Sequence, residues 1–443
     1  MTSAKLAFII AVAAIPAAAR DPYASALELL QPQHHRAAAA PAMTLDEVEA
    51  AALENNPELK VAGRRIALAE LNAGTAGRLE DPRFMFRSWG APLSQPWNLN
   101  RAQNMFMLSR ELPGRGKRAL DREIAAQGVT TSRAQLDALR RDLSARVRVA
   151  YYELLRNQDE LRLHDQQVAL ARQAVEVARI KYTVGRVPQQ DVLKAQIALT
   201  RLADHLLMFQ QEGELSRATL NTLMGRSPDA PLAVSGAYAP PTFLPDLPAL
   251  EHVALNNRPE LRAAASMLRR DQLAIDLARK AYTPDFEVGG GYMLSPSGMD
   301  DRNGYMAELV IGLPWLNRKK HDAEIARAGA AASVQEAEIE NLRTVVRQEI
   351  QMALIRANTA RKLVDVYAST LRPQAQATLK SATAAYQADR TDFLNLIDSQ
   401  NTLLEVEYSY YRALAELETR WAELELAVGT TIERHPATAE VRQ

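Results

Sequence analysis

Side chains able to do chemistry are sparse along this 443-residue chain. There is no cysteine, which excludes disulfides, thiolate metal sites, a thiol nucleophile and a lipid-modified N-terminal cysteine. The seven histidines are scattered, apart from the adjacent pair His34 and His35. No phosphate-binding glycine loop and no paired catalytic carboxylates occur, so the sequence points to neither an enzyme nor a cofactor. Methionine is the exception, with Met85, Met105, Met107, Met293, Met299 and Met306 near segments that read as strands. Thioethers suit monovalent copper or silver, although methionine in strands more commonly serves as filler.

The elements that must position these residues are mainly helical. Aromatics make up 6% of the chain and charged residues 24%, a profile of long helices. Lysine plus arginine equals aspartate plus glutamate at 53 each, so no charge bias indicates nucleic acid. Residues 1–19 read as a signal peptide: one lysine, an apolar run too short to span about 30 Å of hydrocarbon, then small residues. Residues 20–42 read as a tether.

Landmarks then repeat in order. "NNPEL" at Asn55 returns as "NRPEL" at Asn257, and "DPRF" at Asp81 as "TPDF" at Thr283, both 202 residues on. "ELPGRGKR" from Glu111 returns as "GLPWLNRKK" from Gly312 after 201, and Tyr182 returns as Tyr386 after 204. Two duplicated units are expected over 43–226 and 249–430, joined by a Pro-rich linker at 227–248 and followed by a tail at 431–443. Each should run short helix, two strands, very long helix, turn, long helix. About 65 proline-free residues from Arg115 to Tyr182 predict a helix of roughly 100 Å. Val147, Leu154, Leu161, Val168, Val175 and Tyr182 recur every seven residues, as do Ile350, Ala357, Val364 and Leu371, which predicts two antiparallel coiled-coil hairpins. Gly213 interrupts the returning stripe of Val192, Leu199, Leu206 and Leu220, and His164 beside the seam reads as an interhelical contact.

The strands alternate. Phe286, Val288 and Tyr292 share one face against Glu287, Gly289 and Gly291. Tyr305, Leu309 and Ile311 oppose Glu308, and Phe84 and Phe86 oppose Arg83 and Arg87. Apolar-outward alternation over about ten residues is what a membrane barrel strand requires. These side chains are the candidate lipid-facing set. Four strands cannot close a barrel, so a membrane reading demands oligomerisation, and three chains would supply twelve strands and twelve helices.

The duplicated layout and both tips resemble the TolC family of outer-membrane efflux channels. "YTVGRVPQQDVLKAQ" is similar to the family's first tip, with Tyr182, Gly185, Asp191 and Leu193 in place, and "AYQADRTDFLNLIDSQ" to its second. Asp389 departs by standing where glycine is usual, and Asn395 by standing where the archetype carries the first of two gate aspartates; Asp398 matches the second. The resemblance implies a mainly α fold with a small β part: duplicated coiled-coil hairpins plus four strands per chain. It implies a homotrimer forming a twelve-stranded outer-membrane β-barrel on a twelve-helix periplasmic tunnel. It further implies docking to a periplasmic adaptor and an inner-membrane RND-type pump. The "LPGRGKR" and "DPRF" segments resemble the heavy-metal branch more than the drug branch.

Two helix tips per chain would complete a ring of six. Gly185 can supply a left-handed turn and Pro188 can start the returning helix; Tyr182, Asp191 and Tyr386 complete the turn structure. Val184, Gly185 and Arg186, with Ala388, Asp389 and Arg390, are the candidate adaptor contacts. Asp392, Asn395 and Asp398 are the candidate gate, where symmetry-related carboxylates would attract cations. The alternatives are a drug or small-molecule channel of the same family and a soluble periplasmic coiled-coil adaptor, which would carry one hairpin rather than two and no lipid-facing strands.

Overall fold

The computed structural model describes residues 42–241, 245–296, 303–388 and 390–434. The signal segment, nearly all of the tether with His34 and His35, Met299, Asp389 and the tail beyond 434 lie outside the described residues.

Each unit begins with two helices where one short helix was expected. In the first unit α1 (Leu45–Asn55) is followed at once by α2 (Pro57–Thr75). The repeated proline is the reason. It disfavours helical geometry in the preceding residue, and Asn56 accordingly has ψ 128°. The Asn56 side chain then accepts hydrogen bonds from the N–H groups of Glu58 and Leu59, capping α2. Thr44 starts α1 with a reciprocal capping box to Glu47.

Strands β2 (Arg83–Trp89) and β3 (Gln103–Leu112) follow a two-residue strand, β1 (Ala42–Met43). Then come α3 (Lys117–Thr183), 67 unbroken residues or about 100 Å, and α4 (Gln189–Leu223). The linker is not structureless: β4 (Ala233–Val234) pairs in parallel with β1. The second unit contains α5 (Leu247–Asn257), α6 (Pro259–Arg279), β5 (Phe286–Leu294) and β6 (Asn303–Ile311). It continues through α7 (Arg318–Val366), a wide π turn (Tyr367–Leu371), α8 (Arg372–Gln387) and α9 (Phe393–Val428).

The heptad stripes are the packing seams. Val147, Leu154, Val168 and Val175 of α3 and Leu199, Leu206 and Leu220 of α4 are buried, each contributing about 1.5–3 kcal/mol relative to exposure. Tyr182 is the exception at 44% exposed, since the seam ends before the tip. In the second unit Ile350, Ala357 and Val364 are buried, but Leu371 is turned outward. It ends the π turn, next to Pro373, whose ring cannot follow a regular α turn without a clash. The buried stripe resumes at Ala375. Near the tips, Ala178 and Leu199 of the first hairpin and Tyr386, Phe393 and Leu396 of the second belong to one apolar cluster. The two hairpins therefore share a core there.

Polar side chains interrupt that core at one level of α3. Asn157 Nδ2 donates to the Phe209 carbonyl at 2.7 Å, and His164 Nε2 lies 2.7 Å from the Leu202 carbonyl oxygen, an interhelical contact as expected. Glu160, fully buried, accepts from Arg156 and Arg412, both at 3.0 Å. Burial pushes the Glu160 carboxyl above the usual carboxylate range, and the two arginines partly offset this. Gly213 sits across from Asn157 because a Cβ there would lie 2.4 Å from Asn157 Oδ1.

Candidate functional site

The four longer strands form one antiparallel sheet ordered β2-β3-β5-β6, so the hairpins of the two units meet through β3 and β5. Strand alternation then sorts the side chains into two faces. Phe84, Phe86, Leu108, Phe286, Val288, Tyr305, Leu309 and Ile311 are all exposed on one of them, Tyr305 at 92%. Tyr292 is half-buried there because its ring packs against Tyr305 at 5.6 Å. On the other face Arg83 pairs with Glu111 at 3.1 Å, and Ser109 donates to Glu287 at 2.7 Å. Met105, Met107 and Ser109 of β3 are buried on that second face. β3 alternates only in its middle: Phe106 and Leu108 share the aromatic face, but Asn104 and Arg110 fall on it as well, while methionine stands on the polar face.

The "LPGRGK" segment has a local physical reason. It crosses the entry to β5, where Asp285 accepts from the Gly114 N–H at 2.6 Å and from Lys117 Nζ at 2.7 Å. A Cβ on Gly114 would lie 2.7 Å from the Pro284 carbonyl oxygen, so only glycine permits this approach. The segment ties the strand exit of one unit to the strand entry of the other.

At the far end of the helices, the first tip is a Schellman turn. Gly185 has φ +71°, its N–H donates to the Tyr182 carbonyl at 2.9 Å, and the Arg186 N–H donates to the Lys181 carbonyl at 2.9 Å. Pro188 is the N-cap of α4 rather than its first residue, and Asp191 lies in the first turn. Val184, Gly185 and Arg186 are exposed. In the second tip the Arg390 N–H donates to the Ala385 carbonyl at 2.8 Å, the matching long bond, and Ala388 and Arg390 are exposed. Tyr386 is buried there, with Phe393 at 5.7 Å and Lys181 Nζ 3.8 Å above its ring. Lys181 also donates to the Tyr386 carbonyl, so the two tips are joined.

Asp392, Asn395 and Asp398 lie three residues apart on one exposed face of the start of α9, opposite buried Phe393 and Leu396. Asp392 is also the N-cap, accepting from the Asn395 N–H at 3.0 Å. That structural duty was missed in the sequence, although an aspartate just before an apolar helix start signals it. Asn395 Nδ2 donates to Thr391 Oγ1. Among the described residues no group of three or more histidines, aspartates and glutamates converges as a metal site, and no helix is long and apolar enough to cross a membrane.

A sheet with one exposed aromatic face, carried on two helical hairpins whose long arms run about 100 Å, is the build of a channel-type protein. The sequence profile described as "Outer membrane efflux protein" matches residues 50–226 and 250–430. The chain belongs to that family and is an outer-membrane protein with a helical portion in the periplasm. It is 24% identical over 304 residues to the cobalt-zinc-cadmium resistance protein CzcC of Cupriavidus metallidurans, covering 68% of this chain and 71% of that one. It is 22% identical over 391 residues to nodulation protein T of Rhizobium leguminosarum bv. trifolii, covering 86% and 78%. The crystal structure of the Campylobacter jejuni CmeC outer membrane channel matches the fold with a TM-score of 0.74 at 16% identity, covering 88% and 86%.

Proposed function

We propose that the chain is the exit duct of a tripartite efflux system: a homotrimer that docks to a periplasmic adaptor and an inner-membrane RND-type pump and exports heavy-metal cations. The observation that carries the duct reading is the sheet. Among the described residues its outer strands β2 and β6 have no partner on their outer edges, and unpaired backbone is intolerable in hydrocarbon, so closure with further copies satisfies it. Three copies give twelve strands, an even number within the range of such barrels. Phe84, Phe86, Phe286, Val288, Tyr292, Tyr305, Leu309 and Ile311 then face lipid.

The same reading assigns the tips. Val184, Gly185 and Arg186, with Ala388, Asp389 and Arg390, meet the adaptor, while Asp392, Asn395 and Asp398 line the constricted end and attract cations. Heavy-metal cargo is supported by the name of CzcC and by the "LPGRGKR" and "DPRF" segments. Nodulation protein T, matched over more of the chain, names no metal and keeps a small-molecule cargo as the second reading.

The deciding experiment is the mass of the protein extracted from outer membranes with detergent, set against what salt washing releases. A detergent-dependent trimer is expected; a salt-released monomer overturns the duct. For the cargo, cells lacking the protein should retain more cobalt, zinc, cadmium or a monovalent soft metal. Unchanged retention of all of them, with raised drug sensitivity, replaces metal by drug.

A further inference from the structure

The methionines of the four-stranded sheet are confined to one of its faces. Met85, Met105, Met107, Met293 and Met306 all fall on the face that carries Arg83, Arg87, Glu111, Glu287 and Glu308, because they are in register with one another across the sheet. One row reads Met85, Met107, Gly291, Met306 across the four strands, and the adjacent row reads Arg87, Met105, Met293, Gly304. The opposite face carries Leu108, Leu294 and Leu309, and among the described residues no methionine of this sheet is there. The glycines matter as well. A Cβ on Gly289 would lie 3.6 Å from Met107 Sδ, and one on Gly304 would lie 3.7 Å from Met293 Cε, so the thioethers lie over backbone that carries no side chain.

We propose that these five methionines form a thioether site for a soft monovalent cation, copper(I) or silver(I), on the lumen face of the barrel wall. Directly facing strand residues have Cβ atoms about 4.5–5.5 Å apart, and each sulfur lies two bonds further out, so the pairs Met85–Met107 and Met105–Met293 can each bring two sulfurs to one ion. Thioethers select such ions and bind zinc or cobalt weakly. Glu308 lies one row from Met107 and Met306, in the row of Arg83, Ser109 and Gly289, and Glu287 lies a row further, beside Glu111 and Val310. Arg87 Nη2 donates to Met85 Sδ at 3.5 Å, and Arg87 is exposed. The inference rests on the barrel reading and narrows the cargo, away from the divalent metals in the name of CzcC.

The test uses full-length detergent-solubilised protein in chloride-free buffer, titrated calorimetrically with silver nitrate and separately with zinc. The expected result is saturable silver binding without matching zinc binding. It should weaken at least tenfold in Met105→Leu/Met293→Leu and in Met85→Leu/Met107→Leu, substitutions that conserve volume. Met208→Leu, on an exposed face of α4, should bind as wild type, and thermal melting followed by circular dichroism should match across the set. No silver binding by wild type, or equal affinity in both double variants, overturns the site. That failure leaves the efflux reading intact, since metal retention in cells and detergent extraction test it separately.

Discussion

The two hairpins are written with one motif and end in the same backbone reversal, yet their tips are built differently. Tyr182 and Tyr386 occupy corresponding places, but Tyr182 is 44% exposed and Tyr386 only 4%. The second tip folds around an aromatic pair, Tyr386 and Phe393, while the position corresponding to Phe393 in the first is exposed Gln189. Duplication thus copies turn chemistry, which is local, and leaves packing free to diverge. The first hairpin diverges in its own way: it spends its interior on Asn157, Glu160 and His164, whereas the second breaks its descending helix with a π turn.

The largest effect should come from the aromatic pair. Phe393→Ala removes a fully buried ring and should cost about 3–5 kcal/mol, while Gln189→Ala should change stability by less than about 0.5 kcal/mol. Hydrogen exchange at the two tips reads both, and equal effects would mean the tips are alike. Next, Gly213→Ala drives a methyl into Asn157 and should cost about 1–3 kcal/mol; chemical denaturation should show Asn157→Ala relieving part of that loss.

Gly185→Ala places a side chain in the left-handed region and should cost about 1–2 kcal/mol. A bulky residue there should impair efflux while the assembly keeps its mass, and normal efflux would sink the docking role of the first tip. At the second tip Asp392 has two separable roles. Asp392→Ala should lose about 1 kcal/mol of capping, whereas Asp392→Asn should keep the cap and lose only the charge. If the aspartates act as a gate, Asp392→Asn and Asp398→Asn reduce cation selectivity of single channels with unchanged melting; unchanged selectivity in both removes the gate assignment.

The smallest effect is a pH slope. The Glu160 carboxyl is held above its usual 4.5, so the folded state favours its protonated form. Its contribution is fully present below the usual carboxylate pKa and is lost as pH rises through the higher folded value. Glu160→Gln should flatten that part of the stability profile in the first hairpin and leave exchange in the second unchanged.

Much of this was legible because it is periodic. Heptads located the seams from Val147 to Val175 and from Ile350 to Val364, and alternation located both faces of β5 and β6 within two residues. Leu371 keeps the heptad spacing but leaves the seam, because the stripe runs through a π turn whose local sign is Pro373. The extra helix in each unit hid behind Pro57 and Pro259, read as landmarks rather than as helix starts. Asp392 was read for its charge, and its capping bond depends on where α9 begins.

By itself the sequence determined the duplication, the lengths of the helices, the two faces of the strands and the reversal at Gly185, because each follows from spacing along the chain or from one residue's backbone freedom. Only the tertiary structure decided which repeated residue is buried. Tyr386 is covered because Lys181 and Phe393 converge on it, and the five methionines of the four-stranded sheet share one surface because its strands, drawn from both units, align in register. Those outcomes depend on contacts between segments as much as 200 residues apart, and no local pattern encodes them.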